Sequence, residues 1–251
     1  MYVKQPYKNL CPAPNQCEEV AVFGSDQSQV AETSVVILAD GADWSDARPG
    51  TEHFIYSFHG SGAVSLDSRQ VSLSEGKWVY LPSSVSPNIT AQGLLHILVF
   101  SVQVASASES TSLIAERGEN GPLFEFGSNT TRLLLDRSES YRSEVTIVVW
   151  RPGTQGALVA HPDKEQTFFV LDGRGFITVD GVDSHVAPGD LVFVPQKTPH
   201  TTRADEDCSL TYVCMNSIVD LGAYNDFAGM YAKISPERLR RFQSGDKSVG
   251  A

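Results

Sequence analysis

The sequence predicts an all-β protein made of two tandem copies of one small antiparallel barrel, followed by a short helix. Three observations lead there. Short apolar runs alternate with clusters of Gly, Pro, Ser and Asp, no helix-length amphipathic segment interrupts them, and a pattern of glycine, aspartate and proline recurs at a constant spacing of 113 positions.

Composition bounds the rest. At 251 residues, with 41% hydrophobic and 20% charged residues, the chain has the make-up of a globular protein with room for two small domains. A net charge of -11 argues against nucleic acid, because phosphate neutralisation needs clustered Lys and Arg. No run approaches the roughly 20 apolar residues of a membrane span. The segment Met1–Tyr7 lacks the apolar core of a secretory signal, so the expected location is cytoplasmic. Cys11, Cys17, Cys208 and Cys214 do not have zinc-knuckle or redox spacing and read as free thiols, with Cys208 and Cys214 sharing one strand face.

In chain order, residues 1–30 form an irregular Pro-rich N-terminal arm. An N-terminal barrel over 31–104 contains the runs Ser34–Leu38, His53–Phe58, Lys77–Leu81 and Leu94–Phe100, and a small polar stretch around Ser101–Ser110 connects it onward. A C-terminal barrel over 113–220 contains Thr131–Leu135, Val145–Trp150, Gln166–Leu171, Gly175–Val179, Leu191–Val194 and Leu210–Cys214. The tail, 221–251, holds the helix start Ser235-Pro236-Glu237, with Ser235 as N-cap and Pro236 in the first turn.

The duplication is specific. Gly60-Ser61-Gly62, Asp67, Gly76 and Val79-Tyr80-Leu81-Pro82 return as Gly173-Arg174-Gly175, Asp180, Gly189 and Val192-Phe193-Val194-Pro195, each 113 positions on. Gly60 and Gly173 end strands where a positive φ is expected, Asp67 and Asp180 mark hairpin tips, and Pro82 and Pro195 close strands.

The second copy carries chemistry-bearing residues that the first does not. His161, Glu165-Gln166 and His200 lie on or beside short apolar strands and can converge within one barrel. Neighbouring strand residues face opposite ways, and the parity of Phe168 and Val170 makes Gln166 rather than Glu165 the inward residue. The same parity lines the interior with Val148, Trp150, Val159, His161, Phe168, Tyr212 and Cys214. Trp150 and Phe168 are candidates for substrate contact or plain core packing. The Tyr212 phenol is a candidate proton donor.

Residues 145–215 resemble the cupin superfamily, and through the duplication so do 34–101. Pro152-Gly153 opens the pattern, His161 stands at the second-histidine position, Gln166 at the glutamate position, Gly173 at the strand end, and Pro188-Gly189-Asp190 precedes the final histidine, His200. The resemblance implies two jelly-roll barrels, a bicupin, with one divalent metal (Mn, Fe, Zn or Ni) held in the second by His161, Gln166 and His200, and Glu165 in reserve as a catalytic carboxylate. Val159 replaces the first histidine of the pattern. In the first copy Arg48 stands for His161, His53 for Gln166 and Pro87 for His200, which leaves that barrel either structural or with a metal-free pocket in which Arg48 and His53 are candidate substrate-binding residues. The general architecture is similar to that of the (S)-ureidoglycine aminohydrolase family, whose metal motif the chain does not retain.

The expected function is metal-assisted hydrolysis or isomerisation of a small carboxylated or amide-bearing molecule. The alternatives are a non-catalytic ligand-binding cupin and a metal-dependent dioxygenase. A homodimer or larger homo-oligomer is expected, with no nucleic-acid or membrane partner. Lys164 and Arg174 read as exposed basic residues near the mouth.

Overall fold

The computed structural model describes residues 1–66, 69–104, 114–115 and 121–223, and these are all-β. The expected helix at Ser235, the hairpin tip at Asp67 and most of the 101–110 connection lie outside the described residues. Two compact units are present. One comprises Pro6–Asn120 with Ser138–Arg142, the other Met1–Gln5, Gly121–Arg137 and Ser143–Ala251.

The first unit has a six-stranded sheet of β2 (Cys17–Phe23), β3 (Ala31–Leu38), β5 (Thr51–His59), β8 (Trp78–Leu81), β10 (Leu95–Gln103) and β11 (Ile114–Ala115), in the order β11-β8-β5-β10-β3-β2. Its smaller sheet contains β4 (Asp43–Ser45), β6 (Ser61–Leu66), β7 (Arg69–Ser74) and β9 (Asn88–Ala91), ordered β4-β9-β6-β7. Val36, Ile55, Val64, Val79, Leu81 and Ile97 are among the residues that fill the space between these sheets.

The second unit repeats the plan. Its large sheet runs β1-β18-β15-β20-β14-β13-β12, from β1 (Tyr2–Val3), β12 (Leu123–Glu125), β13 (Asn129–Leu135), β14 (Ser143–Trp150), β15 (Lys164–Gly173), β18 (Leu191–Val194) and β20 (Leu210–Ile218). The small sheet is β16 (Gly175–Val179), β17 (Val182–Val186) and β19 (His200–Ala204), ordered β17-β16-β19. Every pairing is antiparallel.

The duplicated glycines have a mechanical cause. Gly60 and Gly173 sit at φ 78° and 76°, and a Cβ there would lie 1.8 Å from the Leu94 carbonyl oxygen and 1.7 Å from that of Ser209. Only glycine supplies both the left-handed backbone and the close approach. Asp180-Gly181 joins β16 to β17 with φ of 50° and 76°, the two positive values of a tight hairpin turn.

Two expectations change. The arm is not irregular throughout, since it gives β2 to the first sheet and β1 to the edge of the second, where Tyr2 pairs with Val192 and donates its hydroxyl to Asp190 at 2.9 Å. Cys208 lies in the turn before β20 and not on the strand, so it does not share a face with Cys214, which is buried.

Candidate functional site

The interior face of the second barrel is a grid set by strand register. Glu144 of β14, Asn216 of β20, Gln166 of β15 and Val194 of β18 form one row. The next row is Thr146, Cys214, Phe168 and Val192, and beyond it Val148 pairs with Tyr212, which pairs with Val170. Lys164, opposite Ile218, stands one step above the Gln166 row. The opposing small sheet contributes His200 and Thr202 from β19, both buried. His161 comes from the loop before β15, and its carbonyl accepts the Lys197 N–H at 2.7 Å.

The two histidines meet. Their ring centroids are 5.3 Å apart, and Phe168 lies 6.2 Å from His200. His200 Nδ1 is 3.0 Å from the Thr198 carbonyl oxygen, so Nδ1 carries the proton and Nε2 keeps its lone pair. Burial holds His161 down to about 3, helped by the charges of Lys164 and His200. It also lowers His200, against the Thr198 hydrogen bond. Both imidazoles are neutral at pH 7, the form that ligates metal.

The Gln166 amide is oriented by a relay that starts at Glu144. The Glu144 backbone carbonyl and carboxylate accept from Asn216 Nδ2 at 3.2 and 3.3 Å. Asn216 therefore turns Oδ1 toward Gln166 and accepts from Nε2 at 2.9 Å, while Nε2 also lies 3.4 Å from Cys214 Sγ. The amide cannot flip without setting oxygen against oxygen. Gln166 Oε1 is left buried with no hydrogen-bond partner. Such an orphan costs about 1–3 kcal/mol, an expense that a bound donor or cation removes.

Three further groups complete the interior. Lys164 is only 6% exposed, which corrects the expectation of a solvated side chain, and its charge reaches His161, His200 and Cys214. Strand parity placed it inward with Gln166, but the habit of lysines to stay in water hid this. Trp150 Nε1 donates to the Tyr212 oxygen at 2.9 Å, and Thr202 Oγ1 lies 3.3 Å from the same atom. Burial raises the Tyr212 phenol well above its usual range, so it keeps its proton. The Phe168 ring lies tilted against Tyr212 with centroids 5.0 Å apart, making Trp150 and Phe168 parts of the apolar core as well as walls of the site.

Other sequence candidates fall elsewhere. Glu165 is 1% exposed and takes the face of β15 opposite Gln166, so it is not within reach of the interior as a catalytic carboxylate. Its counterpart 113 positions earlier, Glu52, accepts hydrogen bonds from Tyr80 Oη at 2.8 Å and from the Tyr141 and Arg142 N–H groups at 3.0 and 2.9 Å. This repeated carboxylate was visible in the spacing but not singled out. Val159 is 40% exposed and does not line the interior, although its backbone bridges to that of His200.

In the first barrel, His53 is buried beside Ser101 (Nδ1 to Oγ 3.0 Å), and burial lowers it to about 4. Arg48 is at the surface, forked onto Asp46 (Nη2 to Oδ2 2.6 Å) and paired with Glu32, so it is a neighbouring charge rather than a wall of a pocket with His53. Among the described residues, the grouping of three His, Cys, Asp or Glu donors close enough for a metal is Asp205, Asp207 and Cys208, at a turn where Arg174 already pairs with Asp207.

The donor set of His161, His200 and Gln166 fits one divalent ion of the borderline class: two imidazole nitrogens with free lone pairs and an amide oxygen without a partner. It carries no negative charge, so it holds such an ion weakly unless an anion joins it.

Comparison with known proteins agrees with this architecture. Residues 146–216 match the Cupin_2 model, a cupin domain. An uncharacterised protein of Methanocaldococcus jannaschii, MJ1618, is 32% identical over 62 residues, which is 25% of this chain and half the length of that protein. The fold is similar to the putative glyoxylate-induced protein of Pseudomonas aeruginosa, with a TM-score of 0.75, 12% identity and coverage of 89% of this chain and 90% of that one. Similarity extends to YlbA of E. coli, with a TM-score of 0.71, 15% identity and coverage of 86% and 89%. The Lactobacillus farciminis oxalate decarboxylase formate complex gives 0.67, 13% identity and 96% of both chains. A cupin domain is thus matched over residues 146–216 of the second barrel, and the fold of the chain as a whole is similar to that of these solved structures.

Proposed function

We propose that the second barrel binds a small carboxylated or amide-bearing molecule and acts on it by metal-assisted hydrolysis or isomerisation, with His161, Gln166 and His200 holding one divalent ion. The observation that carries this reading is the buried Gln166 Oε1, aimed by the Glu144–Asn216 relay and lacking a partner. When bound, the ion supplies Lewis acidity toward a carbonyl oxygen or water. The chain's own residues do the rest: Thr198 fixes the His200 tautomer, Trp150 and Thr202 hold the Tyr212 phenol in place while burial keeps it protonated, and Phe168 excludes water from the inner wall.

Elemental analysis of protein purified without chelator tests the metal. Near-stoichiometric manganese, iron, zinc or nickel is expected in the wild type and its loss in His161→Ala and His200→Ala; trace metal in all three would end the metal assignment. A second reading, a binding module without catalysis, draws on the buried charge of Lys164 beside both imidazoles. It requires ligand-induced thermal stabilisation in chelator with no product formed, so product analysis of each stabilising compound separates the two.

A further inference from the structure

We infer that the first barrel carries a metal site of its own, at the end of its large sheet, where His59, His96 and Glu75 take one divalent transition ion such as zinc. This goes beyond the reading of the second barrel and does not depend on it. His59 ends β5 and stands directly opposite His96 of β10, and the ladder shifts register just past that pair. Their ring centroids are 5.0 Å apart, close to the 5.3 Å between His161 and His200. Glu75 follows β7, and its Oε2 lies 3.7 Å from His59 Nδ1. Apart from that approach, neither imidazole has a hydrogen-bond partner among the described residues, and a neutral ring always keeps one nitrogen lone pair.

The backbone under these groups is fixed. Gly60 follows His59 at φ 78°, and a Cβ there would lie 1.8 Å from the Leu94 carbonyl oxygen, so the end of β5 is pressed against the chain two residues before His96. The Gly76 N–H donates to the Ser57 carbonyl at 2.9 Å and the Lys77 N–H to that of Ser74 at 2.9 Å, which pins the turn carrying Glu75 to β5. Three segments locked to one another thus present the donors, and little ordering remains to be done when an ion arrives. Glu75 is within ion-pair reach of His59 alone, but its side chain is 69% exposed and can turn toward an ion held between the rings.

The fold itself does not ask for the imidazoles. The second barrel repeats the register shift at the same place, and there Asp172, 113 positions after His59, pairs with Thr211. Packing against Phe58 at 5.6 Å and Tyr7 at 6.2 Å accounts for His96, but not for His59, whose side chain is 55% exposed. Two nitrogens and a carboxylate oxygen are the donors of a borderline divalent ion, and the carboxylate supplies a negative charge toward it.

The test uses full-length protein with His161→Ala and His200→Ala, which silences the second barrel, stripped of metal and titrated calorimetrically with zinc chloride. One equivalent is expected to bind with a dissociation constant on the order of 1–100 μM. Adding His59→Ala or His96→Ala should weaken binding about tenfold or more, and Glu75→Gln at least about threefold, with circular dichroism verifying the fold. Should His96→Ala fail to fold, His96→Gln takes its place. Zinc should also shield His59 and His96 from diethyl pyrocarbonate, read by peptide mass spectrometry, while His185 stays reactive. No binding tighter than about 1 mM, or binding that survives both His59→Ala and His96→Ala, overturns the site. Shielding of His185 in place of the pair does the same, and assigns the ion to the Asp205–Cys208 turn. An ion held this loosely does not survive purification, so the metal content of the purified wild type still reports on the second barrel alone.

Discussion

Gln166 shows how one amide can be given a direction. Because the relay begins at an acceptor-only carboxylate, each amide in turn must present nitrogen backward and oxygen forward. Gln166→Glu is accordingly expected to bind divalent metal at least about tenfold more tightly than the wild type, by adding the missing charge, and to bind small acids more weakly. Titration of metal-free protein with manganese or zinc checks both directions. At His53 the expectation concerns pH. Burial lowers it to about 4 in the folded chain against 6.5 when unfolded, so the unfolded state binds more protons as pH falls below 6.5. Stability is thus retained above that value and lost progressively down to about 4. Between pH 7 and 5 this one residue removes up to about 2 kcal/mol. Urea midpoints should fall less over that interval in His53→Gln than in the wild type. Much of this scale was legible beforehand. Parity alone turned Gln166 inward, and the paired histidines followed from their places in the repeat. Lys164 had the same parity but the wrong habit. The relay joins residues 72 and 50 positions apart and has no local signature.

At the scale of elements the duplication is a set of backbone requirements, which is why it survived in the sequence. Gly173→Ala places a methyl group 1.7 Å from the Ser209 carbonyl oxygen and forces a side chain onto φ 76°. A loss of more than about 3 kcal/mol is expected, since strand and turn must both give way. By contrast, Gly181→Asn should cost under about 1 kcal/mol, because its φ of 76° suits asparagine and nothing lies within 4 Å of the added Cβ. Chemical denaturation of the two variants side by side distinguishes a steric demand from a merely conformational one. The short strands were harder to read than these glycines. β1 has two residues and β4 three, too few for alternation to register. Cys17–Phe23 does alternate in exposure, but its exposed positions hold Cys, Glu and Ala, and the preceding prolines masked it as coil.

Across the whole molecule the two barrels differ in which segments they recruit. The C-terminal unit takes Met1–Gln5, and the N-terminal unit takes Ser138–Arg142, whose Tyr141 and Arg142 N–H groups bond to Glu52. Fold class and duplication could be read from spacing, but this exchange of segments could not, because it depends on contacts between distant stretches with no shared motif. Deleting residues 1–5 should lower the stability of the C-terminal unit by about 1–3 kcal/mol, through loss of the β1 pairing and the Tyr2–Asp190 hydrogen bond. Hydrogen exchange should quicken in β18 and leave β5 and β10 unchanged. The same strand sets a timetable for synthesis. The Met1 amino group donates to the Phe193 carbonyl, 192 positions away. At a ribosomal pace of about 5–20 residues per second, this segment waits on the order of 10–40 seconds after its own synthesis for its partner strand to emerge. Through that interval the N-terminal barrel can close, while Tyr2 and Val3 stay unpaired until the second barrel offers its edge.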